Sequence, residues 1–331
     1  MSTIKKVVLG SQGLEVAAEG LGCMGMTGGI NGMSVYGEAD EAESLATLHR
    51  ALELGVTMLD TADLYGPLHN ERLVGKALVG KREQFVVATK FGFEIDDNGN
   101  WTGQYNGCPK YVRKSVERSL RNLSTDYIDL YYLHRVDPNT PIEDTVGAMS
   151  RLVEEGKVRY LGLSEVSADT LRVAHKIYPI TALESEYSLF DRRVEEEGII
   201  EAARALGIGF VAYSPLGRGF LSGEIKTPDD FEVNDSRRIF PRYQGENFYK
   251  NIALVEKLKA LAEAKSVTAS QLTLAWVLAQ DVVVIPGTKR RKYLEANVAA
   301  ASMQLSSAEL AELDAIMPIG SVAGAAYPAG F

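Results

Sequence analysis

The sequence predicts an α/β protein built as a single (β/α)8 TIM barrel, with an N-terminal β-hairpin and extra helices at the C-terminus. Three observations predict it. Eight short apolar stretches, at 18–22, 56–60, 85–90, 128–134, 158–164, 180–184, 208–214 and 282–285, read as strands. Nearly all of them are separated by stretches with helical periodicity. No composition break, linker or low-complexity segment interrupts this alternation, which favours one domain over residues 1–331 rather than two doubly wound ones.

Residues 4–18 alternate as a hairpin does, with Gly10 and Gly13 flanking a Ser-Gln turn. Gly20-Leu21-Gly22-Cys23-Met24-Gly25 then spells G-x-G-x-x-G, but a dinucleotide fingerprint needs a helix directly behind it. Gly28, Gly29 and Gly32 follow instead, and each glycine costs about 1 kcal/mol in a helix. The stretch is therefore a glycine-rich loop after the first barrel strand, open to close approach by a ligand.

A helix over 41–54 places Leu45, Leu48 and Leu52 on one stripe, with Gly55 as its C-terminal stop. Val56, Met58 and Leu59 form a strand halted by Asp60. Helix 69–79 and strand 84–90 come next, then a polar loop over 96–109 that contains Trp101 and Tyr105. Helix 110–123 leads to a strand ending on His134, and helix 141–155 to a strand ending on Ser164. Helices 167–176 and 193–206 precede strands six and seven. Helices 247–265 and 269–280 precede strand eight, and helices 291–301 and 307–316 finish the barrel. The Gly/Ala/Pro-rich tail, 320–331, reads equally as a cover over the pocket, a docking arm or a loose end.

With 35 basic against 44 acidic residues the net charge is −9, which argues against a general binder of nucleic acid or anionic membrane. Cys23 and Cys108 are the only cysteines, too few for a zinc cluster or a disulfide framework, and they point to a reducing cytoplasm. The N-terminus has Lys5 and Lys6 but no apolar core of a signal peptide, and no run reaches the ~18 apolar residues of a membrane helix. A soluble cytoplasmic protein without metal is expected, and its oligomeric state stays open.

Asp60, Lys90 and His134 end strands two, three and four on one rim, and Tyr65 lies one loop turn past Asp60. Strand ends of a barrel carry its chemistry because they are rigid and open to substrate. A phenol, with a pKa of about 10, donates its proton poorly until a nearby cation eases the loss. Lys90 is placed to be that cation, Asp60 to hold it, and His134 to hydrogen-bond a carbonyl oxygen or the phenol. Singly, each has a structural reading: a helix cap, a snorkelling lysine, a core histidine, a loop aromatic. Their joint placement on consecutive strand ends favours a catalytic one.

Several stretches together resemble the aldo-keto reductase superfamily, most nearly its perakine-reductase-like branch and bacterial relatives. They are DTADLYG at 60–66 with Asn70-Glu71, ATK at 88–90, YYLH at 131–134, GKVRYLGLS at 156–164, EYSLF at 186–190, AYSPLGRG at 212–219 and IPGT at 285–288. The resemblance implies a barrel that binds NADPH across its rim and reduces a small carbonyl substrate, with Tyr65 as general acid and Asp60, Lys90 and His134 completing the tetrad. It further implies Ser164 against the nicotinamide carboxamide and Tyr213 stacked on the nicotinamide ring. Ser214, Pro215, Leu216, Gly217, Arg218 and Gly219 would lie over the pyrophosphate, and Met24, Gly25, Met26, Gly287 and Thr288 elsewhere along the cofactor. Lys289, Arg290 and Asn297 would meet an adenosine 2′-phosphate, hence NADPH rather than NADH.

Two positions depart from the family pattern: Glu165 stands where Asn is usual and Glu184 where Gln is usual. An ionised glutamate accepts from an amide NH2 but donates nothing, so Ser164 would supply the donor. Glu184 reads either as an anion that strengthens the bound hydride donor or as a group that is protonated or paired with a nearby cation. Substrate would be framed by Met26, the 28–36 loop, the 93–106 loop and residues 220–243. Two rival functions fit the same fold: a cofactor-binding regulatory subunit, which needs no proton donor, and a physiological alcohol dehydrogenase.

Overall fold

In the computed structural model, which describes residues 4–30 and 33–328, Lys6–Leu9 (β1) and Leu14–Ala17 (β2) pair antiparallel as the expected hairpin. Asn31 and Gly32 of the glycine-rich loop and residues 329–331 of the tail lie outside the described residues. The barrel strands are Leu21–Gly22 (β3), Met58–Asp60 (β4) and Val86–Phe91 (β5). A ribbon of Phe93–Ile95 (β6) and Trp101–Tyr105 (β7) follows. Ile128–Leu133 (β8), Val158–Ser164 (β9), Ala182–Glu186 (β10), Gly209–Tyr213 (β11) and Val283–Val284 (β12) complete the set.

Among the described residues the parallel sheet runs β3-β4-β5-β8-β9-β10-β11-β12. It closes on itself where Val284 bridges Glu19 and Gly287 bridges Gly22. The sheet is a (β/α)8 barrel, as the strand–helix alternation predicts.

Alternating side chains along each strand divide the core in two. Met58, Ala88, Leu130, Tyr132, Ala182, Val211 and Val283 fill the barrel interior, and Leu9, Leu14 and Val16 of the hairpin plug its floor. Leu21, Leu59, Val87, Tyr131, Leu133, Leu161 and Leu183 pack outward under the helices. Two glycines are dictated by this packing. A Cβ on Gly162 would come 2.3 Å from Tyr132 Cδ1, and one on Gly209 would come 2.3 Å from Leu9 Cδ1.

Apart from 193–206, the helices start and stop within two residues of where the sequence places them. Helix α1, Glu41–Glu53, is capped by Asp40, whose carboxylate accepts from the Glu43 amide, and Gly55 ends it at φ +85°. The glycine-rich loop holds one 3₁₀ turn, Met24–Met26, and no α-helix precedes α1 among the described residues, so the G-x-G-x-x-G is no dinucleotide fingerprint.

The structure differs from expectation in two elements. Helix 193–206 is two pieces, Arg193–Glu196 and Ile199–Ala205, broken at Gly198 with φ +66°. The polar loop 96–109 contains β7, which pairs antiparallel with β6. Its exposed Thr102, Gly103 and Gln104 conceal the strand from any hydrophobic pattern. The tail comes back over the rim: the Asn251 side chain donates to Ala323 O at 2.9 Å and accepts from its amide at 2.8 Å. No helix among the described residues is long and apolar enough to cross a membrane.

Candidate active site

Because β4 and β5 run in register, with Asp60 opposite Ala88, the Asp60 and Lys90 side chains both point to the barrel axis at its C-terminal end. Lys90 is fully buried. Its Nζ donates to Asp60 Oδ1 at 2.5 Å and to Thr61 O at 3.2 Å. The same Nζ lies 3.2 Å from Glu184 Oε1, on β10 across the barrel, and 5.4 Å from the centroid of the Tyr65 ring. Burial alone would lower the Lys90 pKa, but the charges of Asp60 and Glu184 outweigh it and hold the ammonium well above its usual range.

Tyr65 follows β4 on a turn and presents its phenol to the cavity. Burial pushes the phenol upward, the Lys90 charge pulls against burial, and Asp60 and Glu184 push it up again. The expected acidification by Lys90 therefore does not emerge as a net effect. The physical reason is burial of the phenol, the largest influence on it, to which the Asp60 and Glu184 charges add against the charge and hydrogen bond of Lys90.

His134, directly after β8, meets Tyr65 edge-on at 5.8 Å and Phe93 edge-on at 4.8 Å between ring centroids. Its Nδ1 is buried without a hydrogen-bond partner among the described residues. Burial, aided by Arg135 and Lys90, drives its pKa well below 6.5, so the ring is a neutral imidazole. We expect no His134 titration near pH 6.5 in imidazole nitrogen NMR shifts; a protonation step there would contradict the burial argument.

These groups open onto a cavity of about 540 Å³. Its deep wall holds Asp60, Tyr65, His134, Ser164, Glu184 and Tyr213; one flank holds Met24 and Gly25. The far side carries Ser214, Pro215, Leu216, Arg218 and Gly219, with Gly287, Thr288, Lys289 and Arg290 at the other end. Ile30, Met33, Tyr36, Phe93, Trp101 and Phe240 form an apolar mouth drawn from the segments expected to frame substrate.

Several expected site residues stand elsewhere. Met26 is buried beneath the loop. Gly217 faces Phe190, and Asn297 is buried on Arg291–Ala300. Glu165, in a left-handed conformation at φ +52°, turns its carboxylate to the Glu186 amide at 2.8 Å. None of these four lines the cavity. Within the basic run Lys289-Arg290-Arg291-Lys292, the Lys289 ammonium is taken by the Tyr36 and Gly37 carbonyls, Arg291 by Glu43, and Lys292 lies over the Tyr293 ring, while Arg290 stays exposed at the cavity end.

Two contributors, Arg135 and Tyr327, were missed by reading the sequence. Arg135 lines the cavity and donates to Ser164 Oγ at 3.3 Å, which leaves the Ser164 hydroxyl hydrogen free to point outward. Tyr327, from the tail, places its hydroxyl 2.6 Å from that of Tyr213 and 2.9 Å from Glu186 Oε2, and accepts from Arg218 at 3.1 Å. Arg218 is thus already paired with Glu186 at 3.1 Å. Only the arginine following His134 carried a local sequence signal, a cation beside a strand-end histidine.

Comparison with known proteins agrees with this geometry. The profile of the Aldo/keto reductase family matches residues 20–318. A protein named probable aldo-keto reductase 1 from Glycine max is 48% identical over 327 residues, covering 98% of this chain and 92% of that protein. The glycerol dehydrogenase of Gluconobacter oxydans superposes with a TM-score of 0.83 at 28% identity, over 96% of this chain and 95% of that one. An aldo-keto reductase of Bacillus halodurans, in its holo form, superposes with a TM-score of 0.76 at 30% identity, over 95% and 96%.

Proposed function

The chain belongs to the aldo/keto reductase family, and from that premise we propose that it is an NADPH-dependent reductase of aldehydes or ketones with Tyr65 as general acid. The observation that carries the proposal is a phenol on the cavity wall, backed by a buried ammonium that two carboxyl groups hold in place. When bound, the cofactor supplies a hydride from nicotinamide C4 to the carbonyl carbon. Tyr65 gives its proton to the carbonyl oxygen as negative charge grows there, and Lys90 stabilises the phenolate left behind. Neutral His134 donates a hydrogen bond to the same oxygen without delivering a full charge to the site.

The donor set suits a phosphate-bearing cofactor. Ser214, Gly217, Arg218 and Gly219 adopt the left-handed conformations from which anion-binding nests are built. Of the basic run, Arg290 is the cation that lines the cavity with no side-chain hydrogen-bond or ion-pair partner among the described residues, which suits it to a 2′-phosphate. We expect Arg290→Ala to weaken NADPH binding about tenfold, the worth of a charge-assisted hydrogen bond, with little change for NADH. Titrating both cofactors by fluorescence checks this, and an equal loss for both would remove Arg290 from that role.

Assay of a carbonyl panel including 4-nitrobenzaldehyde, with NADPH and NADH side by side, tests the proposal as a whole. The reverse reaction, alcohol oxidation, belongs in the same panel because a structural neighbour is named a glycerol dehydrogenase. A cytoplasmic site of action is supported by both cysteines being free thiols.

A further inference from the structure

Glu184 enters the active site as more than a cofactor contact. Its strand, β10, lies on the far side of the sheet order from β5, yet its Oε1 reaches within 3.2 Å of Lys90 Nζ. The ammonium therefore faces two carboxyl groups in a site from which all three are almost excluded from solvent, with side-chain exposures of 0% for Lys90, 4% for Asp60 and 3% for Glu184. One cation cannot neutralise two buried anions, and a second carboxylate left uncompensated there is costly. The remaining oxygens, Asp60 Oδ2 and Glu184 Oε2, have no other partner among the described residues. A proton held between the two carboxyls satisfies both the charge and the hydrogen bonding.

Geometry says which carboxyl owns that proton. Asp60 lies 2.5 Å from the ammonium and Glu184 3.2 Å, so the aspartate is the better stabilised anion. The other ionisable groups around Glu184 do not supply a second cation: Tyr65 and Tyr132 are phenols, and His134 is neutral. Burial and the Asp60 charge together push Glu184 up to about 8. Lys90 has no exposure of its own, whereas Glu184 lies on the cavity wall.

We infer that Glu184 is the proton store of this site, refilling Lys90 after the lysine has re-protonated Tyr65. This rests on Tyr65 being the acid. The steps balance. The Tyr65 O–H bond breaks as its proton goes to the alkoxide; a Lys90 N–H proton moves to the phenolate; the Glu184 carboxyl proton moves to the neutral amine. The site is left with two carboxylates and one ammonium, and Glu184 takes its proton back from the cavity side. The departure from the family's usual glutamine thus adds a titrating group to the catalytic centre.

The test is Glu184→Gln, which keeps the shape and the acceptor for Lys90 but carries no acidic proton. In the protein without cofactor, the infrared difference between wild type and variant should show a protonated carboxyl carbonyl band at neutral pH that disappears as pH rises through about 8. Glu19 and Asp63, which burial also raises, give bands of their own, so the difference spectrum is the signal. Wild type should also lose thermal stability relative to the variant between pH 4.5 and about 8, because the folded protein still holds a proton there that the unfolded chain has already released. With NADPH and a carbonyl substrate, kcat of wild type should fall about tenfold per pH unit above that point, and the variant should lack this limb and be about tenfold slower below it. Absence of the carboxyl band, or a variant with the wild-type pH profile, would overturn the inference. The first two readouts need no turnover, so they stand apart from any failure of the reductase proposal. Glu184→Met serves if the glutamine variant does not fold.

Discussion

Tyr65→Phe is expected to lower kcat for carbonyl reduction by about 10²–10⁴, the worth of a positioned general acid, while leaving NADPH affinity within about twofold. The phenol's ring packs against Ala62, Leu64 and Phe93, and phenylalanine preserves all of that contact. Only the hydroxyl is lost. A structural role would show as a fall in melting temperature with kcat retained, and a regulatory subunit would show unchanged cofactor binding with no turnover in the wild type either. Steady-state kinetics on the aldehyde panel, with cofactor titration of both proteins, separates these results. A variant with more than about a tenth of wild-type kcat would remove Tyr65 from the role of acid.

Lys90→Met should produce the largest loss of stability, about 3–5 kcal/mol near neutral pH, because it strips the cation from two buried carboxyl groups. The side-chain volume is nearly kept, so the loss reports charge rather than a cavity. It should depend on pH in a definite direction. Asp60 and Glu184 are both already raised above their unfolded values by burial, and without Lys90 they rise further. Groups raised in this way support folding below their unfolded pKa and lose that support as pH climbs. The variant's deficit should therefore be small near pH 4.5 and grow through pH 8. Urea denaturation at the two ends of that window measures it. A deficit independent of pH would mean that packing, not the missing ammonium, carries the loss.

Much of the site was legible because its chemistry is written at strand ends. A short apolar run that stops on Asp60, Lys90, His134 or Ser164 states both the strand and the residue that leaves it for the rim, and the barrel brings those ends together. The ribbon was not legible, since Thr102, Gly103 and Gln104 face solvent and carry no apolar alternation. At Glu165, one of the two departures from the family pattern, a left-handed backbone turns the carboxylate to the Glu186 amide, which the sequence does not reveal. Of the three readings of the tail, the structure has the cover: Tyr327 lies on the cavity wall against Tyr213.

By itself the sequence determined the barrel, the order of its strands and the four residues at the rim, since all of these follow from local periodicity and from what terminates each strand. Tertiary structure alone decided that Glu184 joins Lys90, that Arg218 is engaged by Glu186 and Tyr327, and that Arg290 rather than Lys289 or Arg291 is left for a ligand. The reason is geometric. Side chains that converge on a barrel axis come from strands far apart in the chain, and pairing among them depends on register and closure, which no local pattern encodes.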